Sequence, residues 1–99
     1  MATLNIALQE GFSGQPVVVR VDGEERFRAD AVRTRMQTGL ARQVPVEVDP
    51  GRHAVEVVAG DVATSLDVDV ADQAHVGVSL ARSQDRLETR VSDRPFGYV

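Results

Sequence analysis

Val44-Pro45-Val46-Glu47-Val48-Asp49-Pro50-Gly51-Arg52-His53-Ala54-Val55-Glu56-Val57 is the stretch that decides the fold of this chain. Val44, Val46 and Val48 alternate with Pro45, Glu47 and Asp49, and Val55 and Val57 flank Glu56, so each run has one apolar face and one polar face. A period of two belongs to a β-strand with one side buried. Between the runs, Pro50 presets one turn dihedral and Gly51 accepts a positive φ, so the chain is predicted to turn tightly there.

The same alternation extends in both directions. Leu4, Ile6 and Leu8 alternate with Thr3, Asn5 and Ala7, and Val17, Val19 and Val21 with Val18, Arg20 and Asp22. Leu66, Val68 and Val70 enclose Asp67 and Asp69, and Val76, Val78 and Leu80 enclose Gly77 and Ser79. Asp22-Gly23, Gly60-Asp61 and Ala71-Asp72-Gln73 fall between runs where hairpins need turn residues. From Arg26 to about Arg35 a strand is predicted to continue from the Asp22-Gly23 turn, with Phe27, Ala29 and Ala31 inward and Arg26, Arg28 and Asp30 outward, followed by a bend at Gln37 to Gly39. Leu87, Thr89 and Val91 mark a last strand. Turn signals every eight to twelve residues and no helical period predict an all-β fold, a single-domain antiparallel β-sandwich of about seven to eight strands over residues 1–99, with residues 93–99 set apart as a C-terminal tail.

Three segments carry a family resemblance. Val17 to Glu24, Val-Val-Val-Arg-Val-Asp-Gly-Glu, resembles the strand and turn that open PEGA-type domains, which are small prealbumin-like sandwiches. Val44 to Val57 resembles that family's strand, Pro-Gly turn, histidine and returning strand, and Leu66 to Leu80 its closing hairpin. The likeness covers about two-thirds of the chain. Where such domains pass from the Asp-Gly turn to the next strand through a short Gly-x-Thr-Pro-like segment, this chain has Arg26 to Gln43; Ala2 to Gln9 and the residues after Arg82 also lie outside the match. The resemblance implies a prealbumin-like sandwich, with an immunoglobulin-like one as the other expectation, and a non-enzymatic module with no catalytic residue to transfer.

Composition narrows the function classes. The chain has no cysteine, which removes disulfides, thiolate metal sites and a cysteine nucleophile. Met1 to Leu8 has neither a basic region nor a long apolar run, so no signal peptide or transmembrane helix is expected, and the cytoplasm is the default if the chain is complete. All eleven basic residues are arginine, and the net charge is −4. A negative total argues against general binding to nucleic acid or insertion at an anionic membrane. Six arginines face four acids over residues 16–43, whereas residues 44–76 carry seven acids and Arg52; neighbouring strands with complementary outward charge account for that contrast.

No catalytic constellation emerges. Asp67, Asp69, Asp72 and His75 invite a hard-cation site, but the segment has neither the glycine nor the distal glutamate of a helix-loop-helix calcium loop, so a solvated strand face is expected. His53 and His75 belong to separate runs and are expected to support turns or face solvent. Ser13, in Gly11-Phe12-Ser13-Gly14, has no nucleophile-elbow spacing. No metal or cofactor is therefore expected. The strongest recognition candidates are the arginines of the third strand and beyond, Arg26, Arg28, Arg33 and Arg35, which can clamp carboxylates or phosphates, together with Phe96 and Tyr98, half of the aromatic residues in the chain. A non-catalytic protein-interaction or assembly module is expected, pairing with a protein partner or with itself through an exposed sheet edge. A small-ligand or carbohydrate-binding domain is the alternative, and it predicts a pocket lined by Phe12, Phe27 or Tyr98.

Overall fold

Asp22 and Gly23 both adopt positive φ, 54° and 81°, the type I′ pattern whose twist suits a two-residue hairpin. Val21 is thereby brought opposite Glu24. Gly60, at φ 59°, opens a second two-residue turn of the II′ pattern and sets Ala59 opposite Val62. The computed structural model describes residues 2–34, 40–81 and 86–92. They form eight strands and no helix: β1 (Ala2–Leu8), β2 (Ser13–Val21), β3 (Glu24–Arg33), β4 (Arg42–Val48), β5 (Gly51–Ala59), β6 (Val62–Val70), β7 (Gln73–Leu80) and β8 (Leu87–Ser92).

The strands make two four-stranded sheets, ordered β4-β1-β7-β8 and β3-β2-β5-β6. They pack face to face as a sandwich because each has one apolar side. Leu4, Ile6, Leu8, Val76 and Val78 from the first sheet meet Val17, Val19, Val55 and Val57 from the second, all fully buried. Each such side chain contributes about 1.5–3 kcal/mol on leaving water.

Several details depart from the sequence reading. The sandwich is not antiparallel throughout, because β1 runs parallel to β7 while every other pairing is antiparallel. The Asp49-Pro50-Gly51 turn does not close a hairpin either. It carries the chain from β4 in one sheet to β5 in the other, and Ala71-Asp72 does the same between β6 and β7. Period-two patterns report which face of a strand is buried, not which strand lies beside it, so neither feature is written in the alternation.

The third correction concerns β3. Ala29 lies opposite Val17 and Val32 opposite Gln15, so β3 carries one residue more than β2 over this interval. The bulge turns Ala31 out to solvent and Val32 inward, where it is buried. Phe27 and Ala29 face the core as predicted. The strand ends at Arg33, and Gln37 to Gly39 lies outside the described residues.

Gly11 and Gly23 separate two costs of replacing a glycine. Gly11 has φ 91°, and a Cβ there would fall 1.9 Å from the Leu80 carbonyl oxygen; Gly23 has φ 81° with nothing within 4 Å. Gly23→Ala is expected to cost about 1–2 kcal/mol from left-handed strain alone. Gly11→Ala adds a backbone collision and is expected to cost about 3 kcal/mol or more, measured as the difference in urea-unfolding free energy.

Candidate functional site

The arginines predicted for recognition are found on exposed backbone but already engaged. Arg28 donates to Glu25 at 2.7 Å and Arg20 to Glu56 at 2.7 Å; Arg26 lies 3.8 Å from Glu24. Arg33 donates to the Ser13 carbonyl at 3.3 Å, and the Arg42 guanidinium sits 5.5 Å above the Phe27 ring. The Arg28 guanidinium holds the Glu25 carboxyl below its ordinary range, and Glu25 in turn raises Arg28. Arg26, Arg28 and Arg33 do share β3, but they form an acid-balanced face rather than a bare cationic one. Arg35, Phe96 and Tyr98 lie outside the described residues.

His53 has a role that sequence spacing did not reveal. Its Nδ1 lies 2.6 Å from Asp22 Oδ2 and its Nε2 lies 2.6 Å from the Asp49 carbonyl oxygen. The other Asp22 oxygen accepts the Ala54 N–H at 2.9 Å, and the Asp22 N–H donates to the Ala54 carbonyl. One imidazole thus pins the β2–β3 turn against the corner where the chain changes sheet. Both ring nitrogens face acceptors, so the ring satisfies both only as the imidazolium. Asp22, followed by the Asp49 carbonyl, raises the His53 pKa above 6.5, while His53, followed by the Ala54 N–H, lowers Asp22 below 3.8. Both ring nitrogens of His53 are thus engaged within the fold.

His75 lies in the other sheet from His53, buried to 8% exposure on β7 with Nε2 3.4 Å from Gln73 Oε1. Asp67 and Asp69 project from the exposed side of β6, and among the described residues no three acids or histidines converge as a metal site requires. The aromatics proposed for a ligand pocket are used elsewhere: Phe12 is in the core and Phe27 packs against it. A cleft of about 680 Å³ opens beside Glu10, Ser79, Ala81, Arg86 and Glu88, with no aromatic residue among these.

The sheet edges differ in a way that bears on recognition. On one side of the sandwich β3 lies over β4; on the other β6 lies over β8. β3 is interrupted by three register shifts against β2. In β4, Pro45 stands opposite Asn5, and Asn5 belongs to the odd-numbered set of β1 that bonds β7, as Thr3 and Gln9 do. Pro45 therefore turns its donorless nitrogen to the free side. Bulges and proline are what protect an edge from pairing. β6 has neither: nine residues pair with β5 in unbroken register. β5 gives its even-numbered backbone groups to β2, as the Asp22–Ala54 and Gly60–Pro16 bonds show, and its odd-numbered ones to β6. Ala63, Ser65, Asp67 and Asp69 consequently aim their N–H and C=O groups outward. Leu66, Thr64 and Val62, on the inner side of the same strand, are only half-buried, and Val91 on β8 remains 51% exposed.

Comparison with family models, curated proteins and solved structures finds no match to this chain.

The clasp predicts a pH profile with a definite sign. Because the folded pKa of His53 is raised, its stabilisation is complete below about pH 6.5 and disappears as pH rises through the raised value. Because the folded pKa of Asp22 is lowered, its stabilisation is present above 3.8 and is lost as pH falls through the lowered value. His53→Gln is expected to flatten the alkaline limb of Tm against pH between 6 and about 9, and Asp22→Asn to remove both limbs while keeping the turn.

Proposed function

We propose that this chain is a non-catalytic assembly module of the PEGA-like, prealbumin-like kind that pairs with a second copy of itself through β6. The observation that carries this reading is the asymmetry of the edges: one side of the sandwich is blunted by bulges and Pro45, and the other leaves β6 long, regular and free of proline. An unprotected edge supplies a ladder of donors and acceptors for an added strand.

The family reading gains support from where its motifs fall. Val17 to Glu24 spans β2 and its Asp-Gly turn, and Val44 to Val57 spans β4, the Pro-Gly corner and most of β5, which lies beside β2. The segment Leu66 to Leu80 departs from it, since β6 and β7 lie in different sheets.

Charge selects the register. Antiparallel pairing centred on Ser65 would put Asp69 opposite the partner's Asp61, which like charge disfavours. Centring on Leu66 puts Asp67 opposite the partner's Ser65 and Asp69 opposite the partner's Ala63. The half-buried Leu66 then meets its own copy and finishes its burial. The arginine strand is on the opposite side of the molecule and plays no part in this contact.

Sedimentation velocity across a concentration series tests the reading. Wild type is expected to dimerise. Ser65→Pro removes an outward N–H without touching the β5 ladder and is expected to be a folded monomer by circular dichroism. Ala63→Arg, opposite the partner's Asp69 in the Leu66-centred register, is expected to tighten the dimer by about two- to five-fold. A wild-type chain that stays monomeric up to millimolar concentration overturns the proposal.

A further inference from the structure

Val91 is turned toward the other sheet and still left in water. Its cross-strand partner on β7 is Val76, which is fully buried, yet Val91 is 51% exposed and is the one large apolar side chain among the described residues that is. Thr89, two residues back on the same face, is exposed as well, and only Leu87, at the start of the strand, is buried. The sandwich is therefore open along β8, at the margin where β6 lies over it and where Val62, Thr64 and Leu66 are only half-buried.

Among the described residues β8 ends its sheet, and the direction of its backbone groups follows from its neighbours. The Thr3–Asp72, Gln9–Val78 and Leu80–Glu10 bonds turn the even-numbered residues of β7 toward β1, and the Ala81 N–H, which donates to the Arg86 carbonyl, turns the odd-numbered ones toward β8. In the register of β7 against β8 these face Glu88, Arg90 and Ser92. Leu87, Thr89 and Val91 accordingly direct their N–H and C=O groups away from the sheet.

A strand of six residues is a short edge, and charged side chains commonly deter pairing at an edge. The charges of β8 are ordered differently. Glu88 and Arg90 share its outer face on either side of Thr89. In an antiparallel pair of two β8 strands centred on Thr89, Glu88 stands opposite the partner's Arg90, and Arg90 opposite the partner's Glu88. On the inner face Leu87 meets the partner's Val91 and Thr89 meets its own copy. Moving the centre by one residue, to Glu88 or to Arg90, sets two like charges face to face. One register thus joins opposite charges, pairs two threonines and covers Val91, and it uses the backbone groups that point outward.

We propose that β8 pairs with β8 of a second copy in the register centred on Thr89, so that both sheets run across the dimer. The inference rests on the β6 reading for its occupant: β6 and β8 share one margin, and the short strand adds to a contact that the nine residues of β6 make beside it. It assigns the specificity of that contact to β8, because Glu88 and Arg90 attract their counterparts whereas the acids of β6 only avoid one another.

Charge reversal in the full chain tests the contact by sedimentation velocity at low salt, with circular dichroism as the check on folding. Glu88→Arg and Arg90→Glu each set two like-charged pairs in the dimer and are expected to weaken it about four- to thirty-fold. An equimolar mixture of the two single variants restores both opposite-charge pairs and is expected to form a heterodimer within about two-fold of the wild-type affinity. Thr89→Pro removes an outward N–H without touching the β7 ladder and is expected to weaken the dimer as well. Single reversals that leave the dimer unchanged, while Ser65→Pro still abolishes it, overturn the β8 contact and leave β6 pairing in place. Reversals that weaken the dimer while Ser65→Pro does not assign the contact to β8 and overturn the β6 reading. A mixture that associates no more tightly than its components overturns the Thr89-centred register.

Discussion

Most of the described strands have one side that must leave water, and the need to bury those sides at once governs the rest of the structure. Because side chains alternate with a period of two, a slip of one residue in any pairing would exchange a valine row for a row of arginines and acids. Register is therefore held by burial along the strands and by turn chemistry at their ends. The Asp22-Gly23 and Gly60-Asp61 turns fix β2 against β3 and β5 against β6. Nothing comparable fixes β1 against β7, which are far apart in sequence and parallel; their register follows from the fit of Leu4, Ile6 and Leu8 beside Ala74, Val76 and Val78. A parallel pair cannot come from a hairpin. Its presence shows tertiary burial doing what local signals could not.

That division explains what was legible in the sequence. The strands and their buried faces could be read because alternation is local, and Val17, Val19, Val55 and Val57 are at zero exposure as their pattern requires. The bulge in β3 could not. Ala29 and Ala31 have the right spacing for one inward face, and only the competing demand of Val32, two methyl groups larger than alanine, moves the extra residue to Ala31. The corner at Pro50-Gly51 has the same residues as a hairpin turn, and which sheet receives the returning strand depends on β2 already occupying the place beside β5.

The recognition candidates divide in the same way. Composition showed that arginines gather in residues 16–43, but not that Glu25, Glu56 and Glu24 would each lie beside one. Pairing across neighbouring strands is a property of register. His53 was visible as a turn histidine; its two acceptors were not, since Asp22 is 31 residues away in sequence. A strong local clue existed only for Asp22, whose place in an Asp-Gly turn put its carboxylate at the rim.

The edges show why charge counting misjudges a sandwich. Outward acids on β6 and outward arginines on β3 belong to opposite margins of one sheet, so their complementarity cannot be spent within the chain across that sheet. The arginines are neutralised by acids of their own strand or of β5, whereas Asp67 projects beside Ala54, which offers no charge, and Asp69 meets only the long 3.5 Å contact of an exposed Arg52. Such an exposed pair contributes little. The acidic side chains of β6 thus keep an electrostatic preference that the fold does not satisfy, on an edge strand that has neither a bulge nor a proline. In the proposed β6 pairing, charge at that edge selects a register, because pairing must set the acids against neutral or basic side chains, and a small polar residue such as Ser65 can accept that role where another acid cannot.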